Sequence, residues 1–512
     1  MSMHLFHLEV THAGTVLVEV SGLDFEPGVP VTIVGESGSG KSLLAHAIMG
    51  TLPANLLARG SLTVDGQSYD LADRANRRRL WGPVMALLPQ EPGLALDPTM
   101  RTREQVAEGA ASFTMDKRSA RRSAGALLAS LGLGHAAAAF PHTLSGGMAQ
   151  RVAFAAATIG GAPVLIADEP SKGLDRQARA ELAELLKRHL GGGGILLTIT
   201  HDLDLARDLG GEVLVMKDAH ILEHGPAGHV LSEPAHPYTR RLLAAEPARW
   251  KHSWTTAAAP PEAPAAPLIS GAGLGKTFGG QLLFSDLAIT IGAGERVSLS
   301  GPSGSGKTTL GNILLRLMPP DTGHVDHANA LRGGRLQKLY QDPAVAFASR
   351  VPLRDSFGDV LRRHRLTSDR LEELMASLRL APALLHRMPG QVSGGELQRL
   401  AIIRSMLLEP ALVFADEPTS RLDLITQEET ISCLMDQVER LGAALVLVTH
   451  DEALAEAVTH RRIPLGLEDG AAAPTLLAPV PRREGLPRPA ADHGGPESPS
   501  APMCGGCPVR IV

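Results

Sequence analysis

The chain has 512 residues, of which 44% are hydrophobic and 20% charged, and it carries a net charge of −5. That length exceeds one ordinary core and implies two or more domains of soluble, globular composition. The negative balance, with no lysine or arginine block, argues against binding nucleic acid by phosphate neutralisation, and three cysteines exclude a disulfide framework and fit a reducing compartment.

At the N-terminus, MSMHLFHLEVTHAG lacks the basic-then-apolar order of a signal peptide. No uninterrupted apolar run reaches the roughly 18 residues needed to cross a bilayer. The longest, VAFAAATIGGAPVLIA (152–167), is broken by glycine and proline and reads as helix, turn and buried strand. The short basic clusters RANRRRL (74–80) and LRRHRL (361–366) read as solvated helix faces.

The first chemical signal is VTIVG running into GESGSGKS (Gly35, Glu36, Ser37, Gly38, Ser39, Gly40, Lys41, Ser42), followed by the helix-compatible LLAHAIMG. An apolar strand, a glycine-rich turn and a helix start are the parts of a phosphate cradle: glycines let backbone amides crowd phosphate oxygens, and the helix N-terminus adds favourable potential. Lys41 is placed to reach the β- and γ-phosphates, and Ser42 to ligate Mg²⁺. There follow LLPQEP with Gln90, LSGGMAQR with Ser145, Gly146 and Gly147, VLIADEP with Asp168 and Glu169, GLD with Asp175, and TITHD with His201.

The whole series then recurs. GPSGSGKT (Gly301, Pro302, Ser303, Gly304, Ser305, Gly306, Lys307, Thr308) opens it, followed by LYQDP with Gln341, VSGGELQR with Ser393, Gly394 and Gly395, LVFADEP with Asp416 and Glu417, RLD with Asp423, and LVTHD with His450. Elements after the octet are displaced by 248 (416 − 168) to 251 (341 − 90) residues, which marks a domain duplication. Gly35 to Gln90 is 55 residues (90 − 35) but Gly301 to Gln341 is 40 (341 − 301), so the second copy lacks about 15 residues of a peripheral β-region.

Four apolar residues before each Asp-Glu pair put two carboxylates at the end of a buried strand. Asp168 and Asp416 suit Mg²⁺, and Glu169 and Glu417 suit polarisation of an attacking water. His201 and His450, each after a β-branched run, read as γ-phosphate sensors. Gln90 and Gln341 stand at matched places in the two copies, and the family resemblance that the whole series carries implies a role for them at the cation and the reacting phosphate and a link to the domain surface.

Taken together, these motifs resemble the nucleotide-binding domain of ATP-binding cassette (ABC) proteins over about 430 of the 512 residues. LSGGM and VSGGE resemble that family's signature LSGGQ. The resemblance implies two tandem α/β phosphate-loop domains, each with a mostly parallel sheet, an antiparallel β subdomain and a helical signature subdomain, meeting head to tail. Each ATP and Mg²⁺ would then lie between one domain's phosphate loop and the other's signature, with Ser393, Gly394 and Gly395 facing Lys41 and with Ser145, Gly146 and Gly147 facing Lys307. No catalytic position is degenerate, so both sites are expected to hydrolyse ATP. The adenine-stacking aromatic of the family matches Phe278 in the second copy, whereas the first offers only His12.

The expected divisions are 1–247 for the first domain, 248–267 for an Ala/Pro spacer, 268–470 for the second domain and 471–512 for a low-complexity, disordered tail. HPYTRRLLAAEP (236–247) resembles the segment after the cassette in ATPases of the dipeptide, oligopeptide and nickel import group. That implies two transmembrane permease subunits, an extracytoplasmic binding protein and a place on the cytoplasmic face of the inner membrane. Peptide, nickel, metallophore and opine remain open as cargo. The competing class is a soluble twin-cassette ATPase acting on ribosomes or nucleic acid, against which stand the short Ala/Pro spacer and the absence of cysteine pairs within either copy. Cys504 and Cys507 have CxxC spacing, but two thiolates without partners rarely close a zinc site, and they read as incidental.

Overall fold

The computed structural model describes residues 1–111, 116–252, 254 and 267–466. The remainder of the expected spacer and the tail carrying Cys504 and Cys507 lie outside the described residues.

Each copy builds its own core sheet. In the first, the spatial order is His220–Pro226, Glu212–Lys217, Val31–Val34, Ile195–Thr200, Val164–Asp168 and Met85–Leu88. Only the first of these pairings is antiparallel. The second copy has Leu336–Leu339, Leu412–Asp416, Ala444–Val448, Arg296–Ser300 and Arg461–Pro464, all parallel. Val31–Val34, Val164–Asp168 and Ile195–Thr200 are buried at every position. A parallel sheet covered on both faces demands this, because neither face meets water.

Antiparallel sheets sit beside these cores. The first runs Thr15–Phe25, Met3–His12, Leu57–Val64, Gln67–Asp70, and the second Gln281–Gly292, Pro267–Phe278, Thr322–His327. The second copy therefore lacks a counterpart of the strand Gln67–Asp70 and of the helix Arg74–Arg78 that follows it. These two pieces account for the shorter spacing before Gln341.

That helix corrects one expectation. Arg77 in RANRRRL is not solvated: it is 1% exposed. Its guanidinium donates to the carbonyls of Ala47 and Leu71, closing the C-terminal end of the helix Lys41–Met49. Orphan helix-end carbonyls attract a cation, and here a buried one answers through both terminal nitrogens of its guanidinium. In LRRHRL, by contrast, Arg362 and Arg363 on the helix Leu353–His364 are exposed, as expected.

The start of the expected spacer is packed. Trp250 and Trp254 are 8% and 2% exposed, meet edge to face at 5.7 Å, and join the core formed by Leu339, Phe357, Leu400 and Ile431 of the second copy. The Trp254 carbonyl accepts from the buried Arg296 at 3.1 Å. Burying two indoles outweighs the extended preference that the composition suggests.

The HPYT segment forms the helix Pro237–Ala244, with His236 as its N-cap. Tyr238, Leu242 and Leu243 pack with Val34 and Leu203 of the first copy and with Ile425 and Leu424 from the second copy's helix Leu424–Leu441. This apolar cluster crosses the junction between the copies. Among the described residues, no helix is long and apolar enough to cross a membrane.

Candidate nucleotide sites

Three adjacent strand ends bring the motif residues together in each copy: the octet after Val31–Val34, the carboxylate pair at the end of Val164–Asp168, and His201 after Ile195–Thr200. Ligands of open α/β sheets gather at such carboxyl ends. The octet turns into helices starting at Lys41 and Lys307, each preceded by a left-handed glycine, Gly40 (φ 101°) or Gly306 (φ 91°), with no side chain capping the first amides. Those uncapped amides and the helix dipole make an anion site.

The leading glycine of each octet is fixed by space. A Cβ on Gly35 would stand 2.1 Å from the Met216 carbonyl oxygen, and one on Gly301 2.3 Å from that of Leu465. Both are also left-handed, at φ 153° and 144°. Only glycine fits.

Lys41 Nζ donates to the carbonyls of Gly35 (2.9 Å) and Glu36 (2.6 Å), and Lys307 Nζ to those of Gly301 and Pro302, both at 2.8 Å. Burial lowers the pKa of both ammonium groups, opposed by the charges of Glu169 and Glu417 respectively. Ser42 Oγ donates to Asp168 Oδ1 at 2.9 Å, and Thr308 Oγ1 to Asp416 Oδ1 at 3.1 Å. A hydroxyl converging on a carboxylate at the phosphate loop is a hard-oxygen set that fits Mg²⁺ completed by phosphate and water. Among the described residues, no cluster of three or more acidic, histidine or cysteine side chains forms a metal cage.

Glu169 and Glu417 share an uncommon backbone, with φ of 47° and 45°. Their amides are pinned to the carbonyls of Ile199 (2.7 Å) and Val448 (2.9 Å) on the neighbouring strand. A left-handed non-glycine residue costs roughly 1–2 kcal/mol, and the same conformation recurs at the equivalent position of both copies. The carboxylates meet the histidines: His201 Nδ1 is 2.8 Å from Glu169 Oε2, and His450 Nδ1 is 3.6 Å from Glu417 Oε1. Gln341 Nε2 also donates to Glu417 Oε2 at 3.1 Å, and Gln341 and Gln90 are both exposed.

Across the junction the copies exchange aspartates. Asp423 Oδ2 accepts from the Ser37 amide, and Asp175 Oδ2 from the Ser303 amide, each at 3.1 Å. Each aspartate also caps its own helix, Asp423 accepting from Thr426 and Asp175 from Ala178. The signature is held close to that helix, since a Cβ on Gly395 would lie 2.3 Å from Thr426 Cγ2 and one on Gly147 3.0 Å from Ala178 Cβ. Ser145 and Ser393 are exposed N-caps of the helices Gly146–Thr158 and Gly394–Met406. Close packing thus ties each signature to the aspartate that reaches the opposite phosphate loop. A cavity of about 490 Å³ at the junction is lined by both histidines, Glu417 and both aspartate-bearing loops.

Phe278 is 62% exposed at the tip of a hairpin whose return strand places Leu283 and Phe284 against Gly306. His12 is exposed at the matching tip. Sequence reading missed three neighbours of these sites. The Tyr238 hydroxyl accepts from the Glu36 amide at 3.1 Å, His46 Nε2 lies 4.0 Å from Asp168, and Lys338 Nζ lies 3.3 Å from Asp416. Aligning the copies would have exposed the last two, as differences at matched positions.

Duplicated phosphate-loop cassettes that lend each other an aspartate define a class of nucleoside triphosphatase in which each phosphate loop is contacted by the other half. The family model described as ABC transporter matches residues 18–172 and 284–420, and the chain belongs to that family of ATP-hydrolysing proteins. It is 32% identical over 485 residues to the uncharacterized ABC transporter ATP-binding protein YejF of Escherichia coli strain K12, covering 88% of this chain and 90% of the relative. It is 33% identical to the peptidoglycan transport ATP-binding protein YejF of Agrobacterium fabrum, over 88% of this chain and 87% of that protein. The glutathione import ATP-binding protein GsiA of Escherichia coli strain K12 is 31% identical, over 87% and 81%. A solved structure of RNase-L Inhibitor matches with a TM-score of 0.61 at 20% identity, over 90% of this chain and 88% of that one, which shows the shared fold alone.

Proposed function

We propose that this chain is the ATP-hydrolysing subunit of an importer, supplying both cassettes to drive uptake of a peptide-like or related small solute through permease subunits at the cytoplasmic face of the membrane. The observation that carries it is the reciprocal pair Asp423–Ser37 and Asp175–Ser303, which supports reading one polypeptide as a two-site motor. The relatives named for peptidoglycan transport and glutathione import support the import direction, and so does the HPYT helix. Nickel, metallophore and opine are the alternative cargoes within the same group. In this reading the first domain ends with the HPYT helix and the second begins near residue 268.

The residues take the following roles. Octet amides and Lys41 or Lys307 bind the phosphates, and Ser42 with Asp168, or Thr308 with Asp416, hold Mg²⁺, with Gln90 and Gln341 completing the set. When bound, Mg²⁺ would neutralise charge developing on the β- and γ-phosphate oxygens. Glu169 and Glu417 orient and polarise the attacking water, and His201 and His450 fix those carboxylates and contact the γ-phosphate. Phe278 stacks on adenine at the second site. Ser145, Gly146 and Gly147, with Ser393, Gly394 and Gly395, present helix-start amides to the γ-phosphate of the opposite cassette.

Permease contact falls at equivalent places four residues beyond Gln90 and Gln341. Leu94 and Val345 are 82% and 65% exposed there, apolar where a monomer gains nothing from them. The test is co-purification with permease subunits co-expressed from the same organism. Leu94→Asp with Val345→Asp should abolish capture and uptake while basal ATP hydrolysis persists; undiminished uptake by that variant overturns the reading.

A further inference from the structure

The two copies differ in what stands beside the strand-end aspartate. In the second, Lys338 Nζ is 3.3 Å from Asp416 Oδ2, with the two side chains only 10% and 9% exposed. The ammonium also donates to Asn312 Oδ1 at 2.9 Å and lies over the rings of Tyr340 (5.1 Å) and Phe414 (5.6 Å). It is a fixed cation in a mostly apolar setting. In the first copy the same place is apolar. Leu87 pairs with Ile166, two residues before Asp168, just as Lys338 pairs with Phe414, two before Asp416. The position of Asn312, five residues after Lys307, is taken by His46, five after Lys41, at 4.0 Å from Asp168 and 36% exposed.

We propose that Lys338 is a positioning residue that makes the second nucleotide site hold its divalent cation more weakly than the first. The inference rests on the reading of Asp168 and Asp416 as the cation-holding carboxylates. An ammonium already paired with Asp416 supplies part of the charge a dication would bring. In a poorly solvated site the two cations repel, and one must be displaced for the other to bind at full strength. At Asp168 the matched strand position is Leu87, which brings no charge, and the imidazole of His46 stands 4.0 Å away in place of a permanent ammonium. Two sites with the same strand-end aspartate are thereby graded by a residue outside every motif.

Mn²⁺ titration of the full chain, saturated with a non-hydrolysable ATP analogue, tests this through the electron paramagnetic resonance signal of free Mn²⁺. The wild type should show two classes of site differing at least tenfold in affinity. Lys338→Leu, which installs the first copy's residue, should merge them into one tight class. Lys338→Arg should keep the weak class, and Leu87→Lys should weaken the first site, a gain that needs no loss of packing around Lys338. Two equal classes in the wild type, or a Lys338→Leu profile like wild type in a variant with native circular dichroism, overturns the proposal. Asp168→Asn and Asp416→Asn separate it from the underlying reading. If each removes one class while Lys338→Leu changes nothing, the role of Lys338 alone falls. If neither alters Mn²⁺ binding, the assignment of the carboxylates falls with it.

Discussion

Asp423 accepts a hydrogen bond from the backbone amide of Ser37, 386 residues earlier in the chain, at 3.1 Å, and so joins the second cassette to the phosphate loop of the first. Asp175 does the same for Ser303. Hydrogen bonds to a charged acceptor contribute roughly 1.5–3 kcal/mol. Asp423→Ala should therefore lower ATP turnover on the order of tenfold or more, and Asp175→Ala likewise. Steady-state phosphate release measures both, and an unchanged rate in either would show that its junction bond plays no part in turnover.

Glu169→Gln and Glu417→Gln should each cut turnover heavily while ATP binding persists. A water-positioning carboxylate typically contributes about 10²- to 10⁴-fold. Single-turnover assays beside a filter-binding measurement of retained ATP separate the effects. A near-normal rate in one variant would mean that its site is not an equal contributor.

The Glu169–His201 contact predicts a pH dependence. Burial disfavours both charges, yet the hydrogen bond and mutual attraction win: Glu169 is held below the usual carboxylate range and His201 above the usual imidazole value. The histidine's share of the stabilisation is complete below about pH 6.5 and is lost as pH rises through its raised folded value. The glutamate's share is complete above about pH 4.3 and is lost as pH falls through its lowered folded value. The pair is thus intact between the two folded values. Glu169→Gln should shift the His201 titration downward in ¹³C-histidine NMR spectra, and Glu417→Gln should shift His450 less, its contact being 3.6 Å.

Tyr238→Phe isolates the link between the HPYT helix and the phosphate loop. Only the hydroxyl that accepts from the Glu36 amide is lost, a bond with a net contribution of about 0.5–1.5 kcal/mol. ATP affinity at the first site should fall roughly twofold to tenfold, with the second site unchanged. Fluorescent-nucleotide titration in a Lys307→Ala background reads the first site alone.

Trp254→Ala should destabilise the protein by about 3–5 kcal/mol, the usual cost of emptying a buried aromatic site. Urea denaturation followed by circular dichroism gives the value. A loss below about 1 kcal/mol would show that the indole is dispensable to the second core, despite being 2% exposed.

The sequence by itself determined the duplication, both phosphate loops, the strand-end carboxylates and the histidines, because each is a local pattern. A glycine with no room for Cβ, an uncapped helix start and a fully apolar strand all leave marks within a few adjacent positions. Tertiary structure alone decided what long-range packing sets. It chose which amide each exchanged aspartate meets, buried Arg77 within a basic run, drew Trp250 and Trp254 into the second core, and set Lys338 but not Leu87 against a strand-end aspartate. Parallel strands pair residues far apart in the chain, so the neighbour that tunes a charge is invisible in the motif that carries it.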